Sequence, residues 1–232
     1  MQRLLTPELM DDPGLDPVEH AQALRGLARL NRLAGSDRIP WKRLHRWIGQ
    51  RRGSFDVLDI ATGSGDVPLG LGLRARRAGV DLNLHGCDVS EVALDQARQR
   101  ARSLDLAFNG FRQDAIRTPF DRQYDVVLCN LFLHHLEEEH AVQLLRHAAS
   151  ACSGVLLICD LRRDRIGWFL AAVFSRLVTR SSVVHVDALK SVRAGFTPEE
   201  LESMAAQAGL DARSVHHCFP RRMLLEWSPA DG

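Results

Sequence analysis

Gly63, Ser64 and Gly65 stand directly after the apolar run VLDI, within VLDIATGSGD at 57–66. Glycine lacks a Cβ, so a strand-to-helix turn of this composition lets backbone amides come close to a ligand. Asp59 lies in the strand just ahead of the turn, and a second apolar run, LNLHGCD, ends in Asp88, 23 residues past Gly65. A carboxylate at that place can accept from both hydroxyls of a ribose, so the pair predicts a nucleoside cofactor. A dinucleotide site wants a third glycine three residues after Gly65, where this chain has Pro68. That argues against a nicotinamide dehydrogenase.

The second group of chemical residues is histidine, the side chain that titrates near neutrality and suits a general base. His134 and His135 follow a strongly apolar strand in LFLHHLEEEH, and His185 lies in HVDALKSVRAGF. Neighbours in a regular element point apart, so at most one of His134 and His135 is expected to face an acceptor. His185 is the second base candidate, and His216 and His217 fall on a predicted hairpin as structural residues. Asn130 and Asp160 end the fourth and fifth strand runs. One amide and one carboxylate make a thin hard-cation site, and no zinc spacing is present, so no metal is expected.

These residues need a scaffold that alternates strand and helix. Strand runs near 56–60, 82–87, 107–112, 124–129 and 154–159 alternate with helical stretches at 67–78, 90–103 and 138–150. Such alternation predicts an α/β fold with a Rossmann-like, doubly wound, mostly parallel sheet whose ligand crevice lies beyond the strands' carboxyl ends. Helices are expected over Pro17–Leu33 and after Pro40, so the first fifty residues read as helical. FTPEELESMAAQAGL carries Thr197 as N-cap and Gly209 past the C-terminus. Strands at 212–218 and 222–227, separated by Phe219-Pro220-Arg221, predict a closing antiparallel hairpin.

Composition fits one domain: 232 residues, 45% hydrophobic, 25% charged, formal net charge +1. Near-neutral charge disfavours a protein that holds nucleic acid by its overall field. Lysine occurs only at 42 and 190, and the arginine bias reads as a codon habit. Five cysteines at 87, 129, 152, 159 and 218 form no CxxC pair, and no secretory leader opens the chain. A reducing cytoplasm and free thiols are therefore expected. The longest uncharged apolar run, Ile166 to Phe174, falls short of the roughly 20 residues that cross a bilayer. At most peripheral membrane contact is expected.

VLDIATGSGD and GCDVSEVAL resemble the first motif and the second-strand end of class I S-adenosylmethionine-dependent methyltransferases. The resemblance covers 56–160 well and the closing helix and hairpin in pattern. The wording is similar to the ubiquinone/menaquinone-biosynthesis branch, and CDLRRD and SVRAGFTPEEL also look like enzymes that tailor polyketide-type products. Where the quinone branch carries a Gly-x-Arg-Asn element, this chain has LFLHHLEEEH.

The resemblance implies S-adenosylmethionine as cofactor and S-adenosylhomocysteine as product. It implies that Gly63, Ser64 and Gly65 form the turn under the methionine and ribose, and that Asp59 places the methionine amino group. Asp88 would hold the ribose hydroxyls and Val89 would pack on adenine. Asp114, in FRQDAI, would bind the adenine amino group, with Ala115 supplying an amide; Asn130 and Leu131 would line the sulfonium end. The implied reaction is methyl transfer to an oxygen or carbon of a hydrophobic, aromatic or polyketide-like small molecule.

On this reading 1–55 is an N-terminal helical cover, 56–160 the cofactor core, 161–195 an acceptor-side lid and 196–232 the closing helix and hairpin. Trp168, Phe169, His185 and Arg193 are the lid's candidate substrate contacts. The apolar stretch 165–178 has three open readings: a buried core helix, a roof over the acceptor, or a helix at a lipid interface. The rival functions are RNA or protein methylation and a noncatalytic cofactor-binding subunit. A monomer or homodimer is expected.

Overall fold

The computed structural model describes residues 1–12, 14–49, 51–211 and 215–229. Seven strands form one sheet: β1 Ser54–Ile60, β2 Asp81–Asp88, β3 Phe108–Arg112, β4 Tyr124–Asn130, β5 Cys152–Leu161, β6 Val215–Cys218 and β7 Arg222–Trp227. Their order is β3-β2-β1-β4-β5-β7-β6, with β7 antiparallel to both β5 and β6 and every other pair parallel. β1, β4 and β5 read as near-continuous apolar runs because helices cover both faces of the sheet. The strand order reverses between β1 and β4, so their carboxyl ends open the crevice in which such folds bind ligands.

On one face lie α5 Glu138–Ser150 and α8 Pro198–Gln207, packed over Leu58, Val127, Leu156 and Met223. On the other lie α2 Arg38–Ile48 and α3 Asp66–Ala78, over Val57, Val126, Val155 and Leu224. The remaining helices are α1 Pro17–Leu33, α4 Glu91–Ser103, α6 Arg165–Val178 and α7 Ser182–Ala194. Side chains cap their starts. Asp16 accepts from the amides of Val18 and Glu19, Ser90 from Ala93, and Thr197 and Glu200 form a reciprocal capping box. Each such cap contributes ~1 kcal/mol.

Three sequence expectations need correction. The first eight residues form neither helix nor strand and are followed by a 3-10 turn at Leu9–Asp11. This strap is held from outside itself: Arg3 donates to Ala194 O at 2.7 Å and to Leu136 O at 2.6 Å, and Lys190 to Pro7 O at 2.7 Å. α2 begins at Arg38, ahead of Pro40, because a proline costs little where the first-turn N–H has no helical partner. The 161–195 stretch holds a second helix, α7, whose apolar rhythm is interrupted by His185, Asp187 and Lys190. Strand β6 is described from Val215; the expected start at 212–214 lies outside the described residues.

Candidate active site

The turn after β1 is bent by three left-handed residues, Ala61 at φ 55°, Gly63 at φ 53° and Gly65 at φ 76°. A Cβ on Gly65 would sit 3.0 Å from that of Ala97, whereas one on Gly63 would meet nothing within 4 Å. Gly65 therefore serves helix packing, and Gly63 faces open space. Asp88 holds this turn: one carboxylate oxygen accepts from Gly63 N at 2.8 Å and the other from Ser90 N at 2.9 Å. Arg100 crosses from α4 to donate to Ser64 O at 2.9 Å and pairs with Asp66 at 2.7 Å.

Beside the turn, four buried polar atoms have no hydrogen-bond partner among the described residues: Asp59 Oδ1, Thr62 Oγ1, and both Oδ1 and Nδ2 of Asn130. Each buried unsatisfied group costs ~1–3 kcal/mol. They cluster at the adjoining carboxyl ends of β1 and β4, where Ile60 pairs with Cys129. A ligand with donors and acceptors there would recover the lost hydrogen bonds. Burial pushes Asp59 up to about 7, and the nearby Asp88 charge adds to this; the Thr62 hydroxyl opposes it without bonding to Oδ1. An ammonium placed on Asp59 would restore its ionised form. Thr62 was missed from sequence, although Gly86 signals it: a Cβ there would lie 2.8 Å from Thr62 Oγ1.

Farther along the edge, Asp114 accepts from the amides of Ile116 at 3.0 Å and Arg117 at 3.2 Å. It thus shapes the turn after β3 while one oxygen stays toward Arg117 at 3.6 Å. Ala115 is buried, its carbonyl accepting from His147 Nδ1 at 2.8 Å, and Val89 is exposed. Leu131, at φ 56°, turns the chain out of β4, with its amide donating to Cys159 O at 2.8 Å.

Beyond Leu131 lies a chamber of about 160 Å³, walled by Leu27, Leu30, Leu131, Leu161, Val184 and Val192. A cavity of roughly that size accommodates a benzene ring. Both His134 and His135 line it. The expectation that at most one would do so fails because they occupy a 3-10 turn, Leu133–His135, which sets the two rings side by side, tilted by 35° with centroids 4.2 Å apart.

The two histidines differ in support. His134 is buried, and its Nδ1 lies 2.6 Å from Asp160 Oδ1, while its amide donates to Asp160 Oδ2 at 3.1 Å. Leu161 N donates to the same carboxylate at 2.6 Å. Nδ1–H donation to Asp160 leaves Nε2 as the free nitrogen of His134. Burial disfavours the charged ring, but the Asp160 carboxylate outweighs it and raises the His134 pKa above its ordinary value. His135 lies at the exposed edge of the turn; desolvation first, and its proximity to His134 second, push it down to about 4.

Three further chamber residues escaped the sequence reading. Glu8 reaches in from the strap, and one ligand-type atom each of Glu8, His134 and His135 lie within 4.8 Å of one another, a spacing that a cation could bridge. Asp187, buried on α7, accepts from the amides of Leu9 at 2.7 Å and Met10 at 3.0 Å. Arg222 is 3% exposed, and its one side-chain hydrogen bond among the described residues goes to Ser36 Oγ at 2.8 Å. Glu8, Asp187 and Arg222 meet only through tertiary folding, and no local motif announces them.

The other candidates lie elsewhere. Trp168, His185 and Arg193 come together with Leu4 and Leu189 along a separate groove between α6 and α7. His185 Nε2 donates to Thr179 O at 2.8 Å, so its ring braces the loop between those helices. Phe169 is 61% exposed on the outer face of α6. The helix is not buried core: only Gly167 and Ser175 are buried, because its large side chains point outward.

Residues 57–153 match a family described as a methyltransferase domain. The chain is 28% identical to a demethylmenaquinone methyltransferase of Thermus thermophilus, over 79% of this chain and 87% of the relative. It is 24% identical to the ubiquinone/menaquinone biosynthesis C-methyltransferase of Neisseria meningitidis, over 79% and 78%. In fold it is similar to magnesium protoporphyrin IX methyltransferase from Synechocystis, with a TM-score of 0.57, 18% identity and coverage of 93% and 88%. The family match, the relatives and the sheet order make the chain a class I S-adenosylmethionine-dependent methyltransferase.

Proposed function

We propose that this methyltransferase moves the methyl group of S-adenosylmethionine to an acidic hydroxyl, phenolic or enolic, of a hydrophobic aromatic or polyketide-like small molecule. The observation that carries this is the buried His134–Asp160 pair opening on an apolar chamber of about 160 Å³ beside Leu131. Asp59, Thr62 and Asn130 bind the methionine end of the cofactor through the atoms left unpartnered there. Asp88 takes the ribose, while Asp114 and the Ala115 amide take the adenine against Val89. The acceptor ring fills the chamber, its hydroxyl toward His134 Nε2.

Holding oxygen, methyl carbon and sulfur in line supplies much of the rate in such displacements. His134 takes the hydroxyl proton, the oxygen forms its bond to the methyl carbon, and the carbon–sulfur bond breaks to release S-adenosylhomocysteine. Asp160 fixes the tautomer and stabilises the imidazolium, the part a carboxylate plays behind a catalytic histidine. Arg222, a buried cation on the same chamber, stabilises the oxygen as its charge develops.

A phenolate also reacts at its ring carbon. The Neisseria relative is described as a C-methyltransferase, which favours this as the second reading. Incubation with methyl-labelled cofactor and a 5-alkylresorcinol tests both. An O–CH₃ resonance in the product supports the first reading and a C–CH₃ resonance the second. Label on added RNA or protein instead would revive the macromolecular rivals, and no turnover despite cofactor binding would favour a noncatalytic subunit. Turnover abolished by EDTA and restored by a divalent ion would shift the chemistry from a free His134 to a cation held with Glu8 and His135.

A further inference from the structure

α6 is built inside out. Ile166, Phe169, Leu170, Val173, Phe174 and Leu177 recur at helical spacing along its outer face, with Ile166 53% and Leu177 78% exposed. Its inner face is made of small residues: Gly167 and Ser175 are buried, and Ala171 reaches the acceptor chamber. A Cβ on Gly167 would lie 3.3 Å from Arg162 O, so small size is what lets the helix lie close to the fold. Surface helices ordinarily turn the large apolar side chains inward, and contiguous exposed apolar patches mark interaction sites.

The charges around this face share one sign. Arg165 stands at the start of α6 and Arg176 and Arg180 at its end, where exposed Arg25 and Arg29 of α1 join them round one cleft. None of these five arginines has a carboxylate within ion-pair distance among the described residues, and that cleft is lined by no acidic residue. Between 165 and 186 the sequence contains no Asp or Glu.

We propose that α6 docks this enzyme onto an anionic lipid surface, its apolar face sunk among the acyl chains and its arginines on the headgroup phosphates. Fourteen residues at 1.5 Å each give a helix of about 21 Å, too short to cross a hydrocarbon core of about 30 Å, so it lies in the plane of the interface. A second copy of the chain fits this face poorly. Antiparallel pairing of two α6 helices would bring Arg165 of one copy toward Arg176 and Arg180 of the other, with no carboxylate on the face to separate them. An anionic bilayer complements both features at once. The docking surface does not depend on which acceptor is used; it places the chamber, behind Ala171, one helix away from lipid.

Sedimentation of the full chain with sucrose-loaded vesicles tests this. The expected result is binding to phosphatidylcholine vesicles containing phosphatidylglycerol, at least tenfold weaker on phosphatidylcholine alone and at least tenfold weaker in high salt. Val173→Asp/Leu177→Asp and Arg176→Glu/Arg180→Glu should each lower vesicle binding at least tenfold while S-adenosylhomocysteine affinity, the check on folding, stays within twofold. Failure of the intact chain to bind phosphatidylglycerol vesicles overturns the proposal. So does equal, salt-insensitive binding to both vesicle types. A dimer that dissociates in Val173→Asp/Leu177→Asp, without vesicle binding, would overturn it in favour of a second copy on this face.

Discussion

The cofactor crevice and the acceptor chamber meet at Leu131, yet they are assembled by different means. The crevice is built from short segments that each follow a strand: the turn after β1, Asp88 closing β2, Asp114 after β3 and Asn130 closing β4. Its polar atoms are left open, with Asp59, Thr62 and Asn130 buried and unpartnered. The chamber draws Glu8 from the strap, Leu27 and Leu30 from α1, the two histidines, α7, and Arg222 from β7. Its buried carboxylates are already engaged, Asp160 by His134 and Asp187 by the strap. One half leaves polar atoms unpaired; the other is organised internally around the His134–Asp160 pair, the proposed base. Binding and turnover should therefore respond to different substitutions.

The largest effect expected is on turnover alone. His134→Gln and Asp160→Asn each remove a properly oriented base, and general base catalysis contributes about 10²- to 10⁴-fold. Single-turnover rates are expected to fall by that factor while calorimetric affinity for S-adenosylhomocysteine is unchanged. His135→Gln, at the exposed edge of the turn, is expected to lose far less. Equal losses in the two histidine variants would break the division drawn between them.

On the crevice side the next effect is in affinity. Hydrogen bonds to a charged group contribute ~1.5–3 kcal/mol. Asp88→Ala is therefore expected to weaken S-adenosylhomocysteine binding at least about tenfold. Asp88→Asn keeps an acceptor for Gly63 N and should recover part of the loss. Unchanged affinity in both variants would remove Asp88 from the ribose site.

Legibility followed the same division. Asp59, the 63–65 turn, Asp88 and Asp114 were visible because each belongs to a local strand-to-turn pattern, and backbone geometry forces such patterns into a few residue types. The sheet was equally visible, since the buried strands are short apolar runs. Glu8 and Arg222 were not, because the two are 214 positions apart in the chain and meet only through packing. His134 and His135 were named as a pair of which at most one would face the chamber, yet both line it, since a 3-10 turn does not alternate as a strand does. α6 was visible as an apolar segment, but its outward orientation was not, because periodicity reveals a face without saying what it meets.

A smaller effect should appear in the pH dependence of cofactor binding. Burial pushes Asp59 from the ordinary carboxylate value of 3.8 up to about 7. The folded chain therefore keeps a proton that the unfolded chain releases. Its contribution to stability is full below the ordinary value and fades as pH rises through about 7. The cofactor's ammonium needs the ionised form, so binding should take the opposite sign. Affinity for S-adenosylhomocysteine is expected to rise by up to about tenfold per unit toward pH 7. It should fall again at more alkaline pH, as the ligand's amino group loses its proton. Calorimetry of Asp59→Asn should lose the acidic limb and keep the alkaline one. An acidic limb that persists in that variant would assign the proton to another group.

The smallest effect expected joins the two regions. Asp187 holds the strap by accepting from Leu9 N and Met10 N, and the strap brings Glu8 and Met10 to the chamber wall. Asp187→Asn retains one side-chain oxygen as an acceptor and presents an N–H toward the other strap amide. One of the two contacts is lost, and an unsatisfied N–H costs ~1–3 kcal/mol unless the strap moves into water. The strap contributes no residue to the crevice turn, so cofactor affinity should hold. The acceptor's KM is expected to rise a few-fold while kcat changes little, because His134 and Asp160 remain paired. Protease accessibility of residues 1–11 should increase in parallel. If KM and cofactor affinity weaken together instead, the strap braces the whole edge of the sheet, and the chamber is not the separate unit its contacts describe.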